Sequence, residues 1–262
     1  MRKVLLTTGD SFTDNTHRSS AHPLLDCSWP KWPELLADKL DMDCLNLGRS
    51  GAGNKYIHSA VRDFIVKKPK KYNGKIIMND KFLPSNDNIG LVVAGWSQCF
   101  RTDFQIGKWG RWGHERMPFN KEGDLFGWVH ESLNHYLDFQ ILCEKYKFPY
   151  IHTQMIPMYL DLIEGLPPTE QQIVYDGMDR IKDTITYDGD KEEAYNEIRK
   201  ILLRYDRNIK NFMYWKSSLN LELFGHWPND YVISEFDNHP NAEGNELIAQ
   251  TLFEYYEKEI NS

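Results

Sequence analysis

The run Ile89-Gly90-Leu91-Val92-Val93-Ala94 is almost continuously apolar. That is the pattern of a strand covered on both faces, not of a strand with one wet side. Such a strand requires parallel neighbours and helices above and below it, so it constrains the fold more than any other stretch. Candidate neighbours are present: Val4-Leu5-Leu6 near the N-terminus, Cys44-Leu45-Asn46-Leu47, and Tyr150-Ile151-His152-Thr153-Gln154. Helical spacing lies between them. Trp32 to Leu40 begins with Pro33, suited to a first helical turn, and the stretch from Lys55 to Val66 carries Ile57, Val61, Phe64 and Ile65 as one stripe. Leu125 to Lys147 places Trp128, Leu133, Tyr136, Leu137, Phe139 and Leu142 at amphipathic intervals. This alternation predicts an α/β fold, a parallel sheet with helices on both faces.

The rhythm breaks after residue 155. Residues 156 to 230 hold the Pro167-Pro168 pair, a charged helical stretch near Lys191 to Leu203 and an aromatic-rich piece from Phe212 to Trp227. They read as a lid-like insertion within a single domain spanning residues 1–262. Two other segments lack clean periodicity: a Lys-, Pro- and Asn-rich connection from Lys67 to Asn88 around a possible strand at Lys75 to Met78, and a stretch from Arg101 to Asp124 expected to be a long loop. The last element is a helix from Ala242 to Ile260 with Asn241 as its N-cap, preceded by a loop holding Phe236-Asp237-Asn238-His239-Pro240.

Composition narrows the function classes. The chain of 262 residues has a formal net charge of −7, which argues against nucleic-acid binding because phosphate recognition requires a positive footprint. No apolar window is long enough for a membrane-spanning helix, and the apolar run after Arg2 and Lys3 stops at Leu6, too short for a signal peptide. A cytoplasmic protein with no membrane partner is expected. Four scattered cysteines, Cys27, Cys44, Cys99 and Cys143, fit reduced thiols. The histidines show no ligand spacing, so no metal and no cofactor are expected; His130 and His135, five apart, face different sides of one helix.

Reactive residue types cluster at the predicted strand ends. Gly9-Asp10-Ser11 follows the first strand, Gly48-Arg49-Ser50-Gly51-Ala52-Gly53-Asn54 follows the second, and Gly95-Trp96-Ser97-Gln98 ends the apolar strand. In an open parallel sheet these turns share one crevice. A serine nucleophile needs an imidazole to take its proton and an acceptor to fix that imidazole, and Ser11, His239 and Asp237 fill those roles. The amides of Ser11 and Gly51, with a side-chain donor from the third turn, are then candidate oxyanion ligands.

In this order the blocks resemble the SGNH (GDSL-type) hydrolase superfamily. Gly9-Asp10-Ser11 resembles the nucleophile block. Asn46-Leu47-Gly48-Arg49-Ser50-Gly51 resembles the block whose glycine amide helps to bind the oxyanion, and Asp237-Asn238-His239-Pro240-Asn241 resembles the block of base and acid. The resemblance implies a flavodoxin-like three-layer α/β/α fold and hydrolysis of esters through an acyl-serine without metal, with acetylated carbohydrate a candidate substrate. Two departures stand out. The family's third block is usually Gly-x-Asn-Asp; here Ser97 takes the asparagine position, with Gln98 and Asn54 as possible substitutes. The family's acid stands three residues before the histidine, where this chain has Phe236, while Asp237 stands two before. The Trp-Ser form of the third block, followed by Arg101, resembles a divergent branch found in phage and bacterial genomes. The alternatives are a catalytically silent carbohydrate- or partner-binding protein on the same fold, or an acyltransferase.

Overall fold

The computed structural model describes residues 2–67, 71–72, 75–76, 88–99, 101, 103–106, 111–114, 125–156, 200–201, 204–205, 208–213, 230–234 and 236–261. In chain order the elements are β1 (Val4–Thr8), α1 (Trp32–Lys39), β2 (Asp43–Asn46), α2 (Asn54–Lys67), β3 (Lys71–Tyr72), β4 (Lys75–Ile76), β5 (Ile89–Trp96), β6 (Asp103–Ile106) and β7 (Arg111–His114). They continue with α3 (Leu125–Tyr146), β8 (Tyr150–Gln154), β9 (Phe212–Met213), β10 (Val232–Ser234), β11 (Asp237–Pro240) and α4 (Ala242–Tyr255), and α4 closes in a π-turn over Tyr256–Ile260.

Five strands form the central sheet in the order β2-β1-β5-β8-β9, all parallel. Counted along the sheet's own strands this is 2-1-3-4-5, the flavodoxin-like order, in which the strand order reverses beside β1. Alternation along the buried strands feeds two cores. Leu6, Val92 and Ala94 pack with Ile57, Val61, Leu133 and Phe139 from α2 and α3, whereas Leu5, Leu91, Val93 and Ile151 pack with Leu36 from α1 and Ile248 and Leu252 from α4. Helices α1 and α4 lie together, as do α2 and α3, giving the three-layer α/β/α sandwich that the apolar strands predict.

Three expectations change. The stretch from Arg101 to Asp124 is not all loop: β6 and β7 pair antiparallel within it. The final block is not a loop either, because Asp237–Pro240 pairs with Val232–Ser234 as a short antiparallel ladder. Backbone pairing, invisible in residue types as polar as Asp-Asn-His-Pro, decides both cases. Within the expected insertion at 156–230, residues 157–199 lie outside the described residues, and Phe212–Met213 is the edge strand of the main sheet. The sheet is thus resumed before residue 230. The possible strand at Lys75 to Met78 is a two-residue partner of Lys71–Tyr72.

Candidate active site

Ser11 sits immediately beyond the carboxyl end of β1, on a turn fixed by its own neighbours. The Asp10 carboxylate accepts the Phe12 amide at 3.0 Å, and the Asp10 carbonyl accepts the amides of Thr13 and Asp14 at 3.0 and 2.9 Å. This is the Asx-type closure that aspartate provides. Gly9 has no alternative here, since a Cβ would collide with the Thr13 side chain and approach the Gly95 carbonyl.

His239 arrives from the other end of the chain. The ladder of β10 and β11 carries it, Asn241 caps α4 by accepting the Gly244 amide at 2.9 Å, and Asn245 donates to the Pro240 carbonyl at 3.0 Å. The Asn245 Oδ1 also accepts the Trp32 amide at 2.9 Å, tying the start of α4 to the start of α1. Held in this way, His239 Nε2 lies 2.7 Å from Ser11 Oγ, and His239 Nδ1 lies 2.5 Å from Asp237 Oδ1. A carboxylate only accepts, so Nδ1 carries the proton and Nε2 presents its lone pair to the serine hydroxyl. Burial alone would raise the Asp237 carboxyl, but hydrogen bonds from the His239 ring, Ser19 and the His239 amide hold it well below the usual carboxylate range. The two-residue spacing of Asp237 and His239 reaches because the Asp237 carboxylate also accepts the His239 amide, at 3.1 Å, folding its side chain back along the chain.

The second block is clamped to the first. Asn46 donates to the Thr13 carbonyl at 2.7 Å and accepts the Gly48 amide at 2.8 Å, while the Arg49 amide reaches the Gly9 carbonyl at 2.9 Å. Gly51 follows with φ of 76°, a left-handed conformation suited to glycine. Among the described residues the backbone N–H groups of Ser11 and Gly51 have no hydrogen-bond acceptor, and both residues are half-buried.

The third block corrects the sequence reading. Ser97 is fully buried and its hydroxyl donates to Asp10 Oδ2 at 2.8 Å, so it faces the underside of the nucleophile turn and not a substrate. Asn54 is equally committed: its Oδ1 accepts the Ser97 amide at 2.9 Å and its Nδ2 donates to the Ser97 carbonyl at 3.1 Å and to Ser132 Oγ at 3.0 Å. Neither side chain is placed to hold an oxyanion. Gln98 is half-buried and uses its Oε1 to accept Arg101 Nε at 3.2 Å, leaving its amide nitrogen as the remaining side-chain donor on this turn. The unused acid of the first block is also explained. Asp10, with no exposed side chain, receives Arg101 Nη1 at 3.0 Å on the same oxygen that takes Ser97. Trp96 is core and donates to His152 Nδ1 at 3.0 Å; Trp109 and the side chain of Trp112 lie outside the described residues.

Residues that the sequence did not single out line the other side of His239. Its ring touches that of Phe12, centroids 4.9 Å apart and tilted by 40°, and stacks on that of His17, centroids 3.9 Å apart at 25°. Asp14 Oδ2 accepts both the amide and the hydroxyl of Ser50, at 2.9 and 3.0 Å, and the Ser50 oxygen in turn lies 3.3 Å from His17 Nδ1. Because the Ser50 proton is given to Asp14, His17 Nδ1 is the donor in that contact. Burial, and then the neighbouring His239, push the His17 imidazole down to about 4, so the stacked partner of the base is neutral. No residue spacing announces this: the loop from residue 14 to residue 29 has no periodicity, and only the topology brings His17 to the site.

His17, Asp237 and His239 also lie close enough together to face one ion, but Asp237 and His239 are already bonded to each other and His239 to Ser11. Among the described residues no helix is long and apolar enough to cross a membrane.

No protein-family model and no curated protein matches the sequence. Solved structures to which the chain is similar include several SGNH/GDSL-type proteins. One is a psychrotrophic esterase, EstA, from Pseudoalteromonas sp., at 12% identity and a TM-score of 0.48, covering 99% of this chain and 100% of that one. Another is a G-D-S-L family protein from Desulfitobacterium hafniense, at 14% identity and a TM-score of 0.45 over 97% of this chain and 99% of that one. A third is an acetyl xylan esterase, Est2A, from the rumen bacterium Butyrivibrio proteoclasticus, at 12% identity and a TM-score of 0.42 over 99% of this chain and 64% of that one.

Proposed function

We propose that the protein is a serine ester hydrolase of the SGNH type. The observation that carries this reading is the unbroken chain from Ser11 Oγ through His239 to Asp237, with separations of 2.7 and 2.5 Å. His239 Nε2 takes the Ser11 proton as the hydroxyl attacks the ester carbonyl, and Asp237 fixes the tautomer and stabilises the imidazolium that forms. The negative charge that develops on the carbonyl oxygen is met by the unengaged amides of Ser11 and Gly51, with the Gln98 amide as side-chain donor. His239 then protonates the leaving alcohol, which departs and leaves an acyl-serine. Water attacks that ester with His239 again as base, releasing the acid and restoring Ser11. The proposed substrate is a small or carbohydrate-borne ester, with O-acetylated sugar the preferred class.

The test is labelling by a fluorophosphonate together with turnover of a short-chain aryl ester. Wild-type protein should be labelled at Ser11 and should hydrolyse the ester. Absence of labelling by a range of probes overturns the reading in favour of a silent binding protein on the same fold.

A further inference from the structure

The α2–α3 layer holds a second histidine pair, remote from Ser11. His58 of α2 is 7% exposed. Its ring lies against that of His135 of α3, centroids 5.6 Å apart and 29° from parallel. His135 Nε2 is itself buried without a hydrogen-bond partner. Buried polar atoms are normally satisfied, and an orphaned group in a native interior commonly marks an absent water or ion. His135 Nε2 thus leaves an unmet bond beside the His58 ring.

A carboxylate completes the group. Asp138 follows His135 by three residues, so both project from one face of α3. One ligand atom from each of His58, His135 and Asp138 lies within 4.8 Å of the others. A tetrahedral ion with bonds of about 2.0–2.2 Å needs ligand atoms about 3.5 Å apart, and rotation of the exposed Asp138 and half-buried His135 side chains supplies the closure. Two imidazoles and one carboxylate suit a borderline transition metal; Mg2+ and Ca2+ prefer all-oxygen shells.

The surrounding charges are compatible with a cation. Glu131, one turn before His135, places a carboxylate oxygen 3.7 Å from His135 Nε2 and adds negative charge beside the cluster. Of the two cations on this side of α2, Arg62 is engaged through Nε and Nη2 with Asp63 Oδ1, at 3.2 and 3.1 Å, and Lys55 is the other. Burial keeps both imidazoles in the neutral form whose lone pairs bind metal.

We infer that His58, His135 and Asp138 bind one divalent transition-metal ion of the Zn2+ class, which clamps α2 to α3 and takes no part in ester hydrolysis. The test uses metal-stripped full-length protein titrated with Zn2+ by calorimetry and with Co2+ by visible absorption. His239→Ala is included to remove the other ion-sized cluster, beside Ser11. One Zn2+ per chain is expected in both wild type and His239→Ala, together with a rise in Tm of several degrees. His58→Gln and His135→Gln should each weaken binding by at least the 10- to 100-fold, roughly, that loss of even an outer-shell partner costs. Asp138→Asn, at an exposed position that leaves the core intact, should weaken binding by about tenfold or more on the same basis. Absence of stoichiometric binding in the His239→Ala protein overturns the site, and so does unchanged affinity in Asp138→Asn or in either histidine variant.

Discussion

Ser11 and Ser97 occupy equivalent places, each on the turn just past the carboxyl end of one of two adjacent parallel strands, yet their hydroxyls serve opposite purposes. Ser11 is half-buried and its oxygen faces His239; Ser97 is wholly buried and its proton is given to Asp10, beneath the Ser11 turn. A hydroxyl's role follows from which partner reaches it first. At the first turn an imidazole arrives from a distant block, and at the second a carboxylate arrives from the neighbouring strand end. The site therefore has a proposed reacting layer and, directly below it, a bracing layer built from Ser97, Arg101 and Asp10.

Substitutions separate the two layers. In the reacting layer, Ser11→Ala or His239→Ala should lower kcat for an aryl ester by roughly 10⁴- to 10⁶-fold, and the double variant should lose little more because the residues act as a unit. The urea midpoint of Ser11→Ala should match wild type. Equal losses of activity and stability would erase the distinction between the layers.

The bracing layer should behave in the opposite way. Arg101→Met leaves the buried Asp10 carboxylate without its cation and should destabilise the fold by about 3–5 kcal/mol in denaturant unfolding. Ser97→Ala removes one donor from the same oxygen and should cost about 1–3 kcal/mol. If Ser97→Ala instead abolished turnover with an unchanged unfolding midpoint, the hydroxyl would belong to the reacting layer after all.

His17 stands between the two, touching the base but not the nucleophile. His17→Ala removes the ring stacked on His239 and should reduce kcat by about tenfold through loss of orientation, within the range that small misplacements produce. His17→Phe, which retains a flat ring, should restore most of that loss; failure of the aromatic replacement would mean that the imidazole nitrogens matter.

The remaining prediction is a pH dependence. His17 and His58 are held at about 4 and His152 at about 3 against an ordinary 6.5, in each case first by burial. Below 6.5 the unfolded chain binds protons at these sites that the folded chain refuses, so stability should fall as pH drops from about 6.5 toward 4. In metal-stripped protein, His58→Gln should flatten part of that slope in thermal unfolding. A slope identical to wild type would show that His58 is not a source of it.

The sheet was readable from residue types because a parallel strand covered on both sides must be apolar along its length, as Ile89 to Ala94 is. The three blocks were readable because glycines and reactive side chains collect at strand ends. The partners of those side chains were not. Whether Ser97 meets a substrate or Asp10 depends on the distance between two turns far apart in sequence, and no spacing encodes it. The same holds for His17, which lies in an aperiodic loop, and for His58 and His135, which become neighbours only when α2 packs on α3. Local polarity also misled at Asp237 to Pro240, where four residues of loop-like composition form a strand by pairing with Val232 to Ser234.

The bond between Asn245 and the Trp32 amide has a temporal consequence. Ser11 is synthesised 228 residues before His239, and His239 is steadied by a helix whose first turn docks on α1. A nascent chain thus carries a Ser11 hydroxyl without its imidazole partner until residue 239 has been added. Under the proposed mechanism acyl transfer requires α4 to be seated against α1, so the appearance of ester cleavage, or of phosphonate labelling, reports the moment at which these two distant segments have met.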